Sequence, residues 1–126
     1  VIETDLQTIS IEATLGDLVK KVSRSSRNIF PVIDENEALL GIVLLDDIRK
    51  IMFNQDLYNV TFVRDFMTTP PTIVDVTDSI DLVMKKFEDT GAWNLPVIEE
   101  GRYIGFVSKA KIFNTYRRVL QHFSDE

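Results

Sequence analysis

Asn28-Ile-Phe-Pro-Val-Ile33 returns further along the chain as Trp93-Asn-Leu-Pro-Val-Ile98, and that return decides the fold. The segment behind it repeats as well, Leu40-Gly-Ile-Val43 being answered by Ile104-Gly-Phe-Val107. Ahead of it, Leu15, Leu18, Val19 and Val22 are answered by Ile80, Val83, Met84 and Phe87, in both copies at the i, i+3, i+4, i+7 spacing of one helix face. Pro31 and Pro96 are separated by the same interval as the two helical stripes, whereas Gly41 and Gly105 fall one short of it, so the copies slip by a single position in the turn between these segments. A unit this small buries little core by itself. The two copies are therefore expected to pack on each other about a pseudo-two-fold, with the clefts between them as the natural place for function.

With 126 residues, 44% of them hydrophobic, the chain can form one compact domain or two half-domains sharing a core. A net charge of -6 argues against a nucleic-acid surface, which needs clustered Lys and Arg. Cysteine is absent, which excludes disulfides, thiolate metal sites and a cysteine nucleophile. There is no apolar run of the roughly 18 residues that a membrane-spanning helix needs, and no signal-peptide pattern. The chain opens on Val1 and runs almost at once into the first copy, which leads us to expect a piece of a larger protein whose main activity lies ahead of it.

Each copy reads strand, helix, strand, strand, helix, an α/β (α+β) pattern with a small mixed sheet. In the first, Thr8–Ile11 is a short strand and Thr14 caps a helix from Leu15 to about Arg24. Apolar runs at Ile29–Ile33 and Leu39–Leu45 make a hairpin around Asp34-Glu-Asn-Glu37, and Asp46 and Asp47 open the next helix. In the second, Thr72–Val76, Asn94–Ile98 and Tyr103–Ser108 read as strands, Ser79–Thr90 as a helix, and a last helix runs to about Phe123. Residues 1–60 are assigned to the first repeat, 61–70 to a linker with one short helical turn, and 71–126 to the second repeat.

Pro-Val-Ile, a turn, Leu-Gly-Ile-Val and an Asp at the next helix start resemble the CBS domain, and two such units in tandem resemble a Bateman module. The resemblance covers Thr8 to about Phe53 and Thr72 to about Tyr116, and implies two pseudo-symmetric repeats, each a mixed three-stranded sheet with two helices. It implies a regulatory attachment, not an enzyme. Ser26-Arg-Asn-Ile-Phe-Pro-Val, Gly41-Ile-Val-Leu-Leu-Asp-Asp-Ile-Arg and Gly105-Phe-Val-Ser-Lys are similar to cytosolic tails of bacterial ClC-family chloride channels. This implies a homodimer, formed through helices around Ile48, Ile51, Met52, Ile112 and Tyr116, on the cytoplasmic face of a membrane and joined to a transmembrane channel domain.

Nucleotide-binding relatives carry Gly, two apolar residues, Thr or Ser, two variable residues and Asp, where the hydroxyl caps a helix near phosphate and the carboxylate accepts from ribose hydroxyls. Here the pattern is split. Gly41-Ile-Val-Leu-Leu-Asp-Asp47 keeps Asp47 but has Leu44 at the hydroxyl position, whereas Gly105-Phe-Val-Ser-Lys-Ala-Lys111 keeps Ser108 but ends on Lys111. The resemblance implies that Asp47 faces Thr72, Trp93 and Asn94 in a cleft that takes AMP, ADP or ATP, with the base on Trp93. It implies that Thr8, Arg27 and Asn28 face Ser108 and Lys111 in a second cleft suited to an anion or phosphate, because an ammonium cannot accept from ribose.

The remaining candidates read as surface chemistry. His122 stands alone near the C-terminus, and Asp34, Glu35 and Glu37 lack the alternation and glycine of a calcium loop, so no metal site is expected. The pairs Lys20-Lys21, Lys85-Lys86 and Arg117-Arg118 read as solvated helix faces. Two other functions stay open: an adenylate-sensing tail of another host, either a metabolic enzyme or a magnesium transporter, and a structural dimerisation module with empty clefts.

Overall fold

A computed structural model describes residues 2, 3 and 7–124 of the chain. The elements are β1 (Ile2–Glu3), β2 (Ile9–Ser10), α1 (Leu15–Ser23), β3 (Ile29–Ile33), β4 (Leu39–Leu44), α2 (Leu45–Ile48), α3 (Val63–Phe66), β5 (Val74–Asp75), α4 (Ile80–Thr90), β6 (Asn94–Glu99), β7 (Arg102–Ser108) and α5 (Lys109–Ser124). They form two compact units. Of the described residues, 7–70 with Gly101–Tyr103 make the first, and 2–3, Pro71–Glu100 and 104–124 make the second.

The first unit is built on a sheet of order β2-β3-β4. Its core gathers Ile9, Leu18, Phe30, Val32, Val43, Ile48 and Val63, so the strand, helix and hairpin patterns all converge on one cluster. The second unit carries the order β1-β7-β6-β5, with Val74, Val83, Phe87, Leu95, Val97, Val107 and Ile112 in its core. Three strands were expected there. The fourth, β1, pairs antiparallel with β7 through Ile2 opposite Val107 and Glu3 opposite Phe106.

Pro31 and Pro96 sit in the middle strand of three and in an inner strand of four, where a missing N–H should disrupt a ladder. For Pro31 the register explains why it does not. The N–H of Ile42, which lies opposite Pro31, donates to Thr68 O and its carbonyl accepts from Thr68 N, both at 2.8 Å, so Pro31 faces β4 at a non-hydrogen-bonded position. On the other side β2 begins opposite Val32 and β5 opposite Val97, one residue past each proline.

Local signals hold at the helix ends. Thr14 and Asp17 form a reciprocal capping box on α1, and Ser79 Oγ accepts from Leu82 N on α4, which closes on Gly91 in the left-handed region at φ 68°. The helix expected after Leu45 stops at Ile48, because the N–H groups of Ile51 and Met52 both fold back onto Ile48 O. The strand expected at Thr72–Val76 narrows to Val74–Asp75, where the carboxylates of Asp75 and Asp78 take up the Thr77 and Asp75 N–H groups in a turn. The one-residue slip between copies falls at a bulge between Val32 and Ile33.

Two of the lysines read as solvated are instead tethers. Lys21 Nζ donates to Thr8 O, and Lys86 Nζ donates to Ile73 O at 2.8 Å. The two lysines occupy equivalent positions in the repeat, and so do the two carbonyls, so the repeat extends to this contact. Lys86 also pairs with Asp78 at 2.7 Å, its side chain 24% and the carboxylate 13% exposed.

Candidate functional site

The end of each sheet where the second helix begins carries the residues singled out from sequence. In the first unit the N–H of Leu45, opening α2, donates to Asn28 O at 2.8 Å. In the second the N–H of Lys109, opening α5, donates to Trp93 O at 2.9 Å. The residue ahead of each Pro-Val strand is thus fixed to the helix start behind the hairpin, and the two halves of each motif become neighbours.

The first unit carries Thr8 just ahead of β2, Arg27 and Asn28 ahead of β3, and Asp47 in the single turn of α2, and of these Asn28 is bonded to the start of α2. Asp47 is exposed. Its neighbour Asp46 pairs with Arg49, and among the described residues no acidic or histidine group is arranged to hold a metal. Thr8 lines a depression of about 460 Å³ with Ser10, Glu12, Lys21, Asp34 and Glu35. The Asp34 carboxylate is spent inside its hairpin, where it accepts from Asn36 N at 2.8 Å and Ala38 N at 3.0 Å.

Within the second unit the same end holds Thr72 just ahead of β5, Trp93 and Asn94 at the start of β6, and Ser108 and Lys111 at the start of α5. Ser108 Oγ accepts from Lys111 N at 3.1 Å, the helix cap expected of that hydroxyl. Trp93 is 74% exposed. Its ring lines a groove of about 340 Å³ with Lys109, Ala110, Phe113, Asn114 and Arg117. Lys109 Nζ stands 5.2 Å from the Trp93 ring centroid and 5.9 Å from that of Phe113, so one ammonium serves two aromatic faces.

Sequence reasoning missed Phe113, Asn114 and Arg117. Their signal was present, since Lys109, Phe113 and Arg117 follow one another at i, i+4, i+8 along a single helix stripe. The groove offers a flat aromatic surface, two cations and a capped helix start, which together suit a planar anion. Of the residues expected at a dimer contact, Ile48 and Ile112 are buried in their own units, whereas Ile51, Met52 and Tyr116 are only half-buried.

Two carboxylates elsewhere in the units are tuned by local hydrogen bonds. Asp17 is held below the usual carboxylate range by the backbone N–H of Thr14 and then by its hydroxyl. Asp75 is held low in the same way by the N–H of Thr77, at 3.0 Å, and its hydroxyl, at 2.8 Å.

The model of the CBS domain matches residues 1–54 and 63–118, and the chain belongs to that family: it is a tandem CBS pair, a regulatory rather than a catalytic module. Among curated proteins it is 30% identical over 98 residues to a homoserine O-acetyltransferase of Methanobrevibacter ruminantium, covering 78% of this chain and 19% of that protein. The chain spans between about a fifth and two fifths of the length of the curated relatives it matches. Solved structures share its fold, two of them with a bound nucleotide. CBSX2 in complex with AMP has a TM-score of 0.72 at 21% identity, covering 94% of this chain and 93% of that one. The CBS domain of a bacterial CNNM/CorC family Mg²⁺ transporter in complex with ATP has a TM-score of 0.73 at 20% identity, covering 90% and 80%.

Proposed function

We propose that this CBS pair is a regulatory module that binds an adenine nucleotide, and that its dimer passes the bound state to a membrane-embedded channel or transporter at the cytoplasmic face. The observation that carries the reading is the groove at the start of α5. Trp93 supplies a stacking face, Lys109 and Arg117 supply charge for phosphates, and the Ser108 cap leaves the helix start oriented toward an anion. Binding acts by differential affinity, because a nucleotide shifts the host only as far as it prefers one arrangement of the module over another.

For the host we propose a ClC-type chloride channel or transporter, supported by the wording around Ser26–Val32, Gly41–Arg49 and Gly105–Lys109. A magnesium-transporter host is the second reading, favoured by the fold shared with a CNNM/CorC domain that holds ATP. The sequence ahead of Val1 separates them, since about ten or more long apolar spans mark a ClC-type channel.

Trp93 is the only tryptophan, so its emission reports the site directly. Titration with AMP, ADP and ATP is expected to give a saturable change with at least one of them, and Lys109→Ala is expected to weaken ATP more than AMP. A flat emission with all three nucleotides up to millimolar concentration refutes the proposal.

A further inference from the structure

The segment that leads into each repeat is held by the sheet of the other. Ile2 and Glu3 lie ahead of the first repeat, yet they pair with Val107 and Phe106 in the second unit. Thr68 lies ahead of the second repeat, yet it pairs with Ile42 in the first through two hydrogen bonds of 2.8 Å. Glu3 and Thr68 are separated by the same interval as Pro31 and Pro96, and Ile42 and Phe106 by that of Gly41 and Gly105, so these are equivalent contacts carried by the repeat itself.

The two contacts differ in what secures them. Thr68 lies just past α3, whose Val63 is fully buried in the first unit's core, and Met67 between them packs against that core. By contrast, β1 has two residues, and Ile2 is 40% exposed. The Ile2 side chain lines a cavity of about 130 Å³ together with core residues such as Val83, Val97, Val107 and Ile112 and with Asp75 and Asp78. Just beyond the paired residues, β7 ends at Ser108, the cap of α5, and Lys109 bonds to Trp93.

We propose that β1 is a coupling strap: displacement of the chain at its N-terminal end acts on the end of β7 and the start of α5 in the second unit, and leaves the first unit's sheet alone. With β1 seated, the edge of β7 is paired and Ile2 covers one side of the cavity. With β1 drawn off, Val107 loses its partner, the cavity opens on that side, and the Ser108–Lys111 turn loses its backing. Stability is local in this sense, because an edge of two residues opens far more often than the core it covers. The inference does not depend on whether a nucleotide binds.

Hydrogen exchange on the 126-residue chain tests it with two crossed variants, Glu3→Pro and Thr68→Pro. Glu3→Pro is expected to speed exchange across residues 104–112 about tenfold, as the loss of one or two backbone hydrogen bonds does, while residues 39–48 change less than about twofold. Thr68→Pro is expected to do the reverse. Ile2→Asp, which keeps the backbone donor, is expected to shift Trp93 emission as Glu3→Pro does. Faster exchange in both windows to the same degree, or no change at 104–112 with Glu3→Pro and Ile2→Asp, overturns the proposal.

Discussion

Replacing Gly41 by alanine should destabilise the chain far more than one methyl group suggests. A Cβ built on Gly41 meets Thr68 O at 2.9 Å and Met67 Sδ at 3.2 Å, so the backbone of the neighbouring segment is in the way. There are two ways to relieve this clash. If the segment stays, the strain is that of an overpacked core, about 1–3 kcal/mol. If it detaches, both Ile42–Thr68 hydrogen bonds are lost at about 1 kcal/mol each, together with part of the packing of Met67. The cheaper route decides the cost, about 1–3 kcal/mol, which for a chain of this length lowers Tm by about 4–12 °C. Gly91→Ala is the control: its Cβ meets nothing within 4 Å, and the strain comes only from φ 68°, about 1 kcal/mol. Urea unfolding and thermal scans followed by far-UV circular dichroism would measure both. If Gly41→Ala lies within about 0.5 kcal/mol of wild type, or is milder than Gly91→Ala, the close approach is not what demands glycine there.

Lys86→Met should cost about 2 kcal/mol, because it strands the largely buried Asp78 carboxylate and the Ile73 carbonyl; Lys21→Met, which loses only a carbonyl contact from an exposed lysine, should cost under about 1 kcal/mol. Acid titration should show stability that is present above the ordinary aspartate range and is lost as pH falls below about 4, since Asp17 and Asp75 both have folded pKa values below their unfolded ones. Thr77→Ala should flatten part of that slope, as read by denaturant midpoints at a series of pH values. Phe30→Ala and Phe87→Ala, each removing a fully buried ring from its own unit's core, should each cost about 3–5 kcal/mol in the same assay.

The elements that repeat could be read from the sequence because their causes are local. The Pro-Val-Ile strands are short apolar runs, and the helices declare themselves by stripe and cap. What stayed hidden depends on pairing between distant segments. Nothing in Ile2-Glu3 itself announces a strand, since β1 exists only because β7 offers an open edge. Lys21 and Lys86 looked like solvent-facing charges because a carbonyl partner well back along the chain leaves no periodic trace, although their equivalent positions in the repeat were visible. For the site, Ser108 as a cap and Trp93 as an exposed aromatic followed from residue type. The groove needed the helix, because only its stripe brings Phe113 and Arg117 alongside Trp93.

Calorimetry with AMP, ADP and ATP tests the central claim most directly, run on the wild-type chain, Trp93→Ala and Lys109→Ala. A regulatory nucleotide module should bind at least one of the three with a measurable heat, and lose at least about tenfold in affinity with either substitution, as the loss of a stacking face or of a charge-assisted hydrogen bond does. No heat with any nucleotide, or equal affinity in all three proteins, would contradict it.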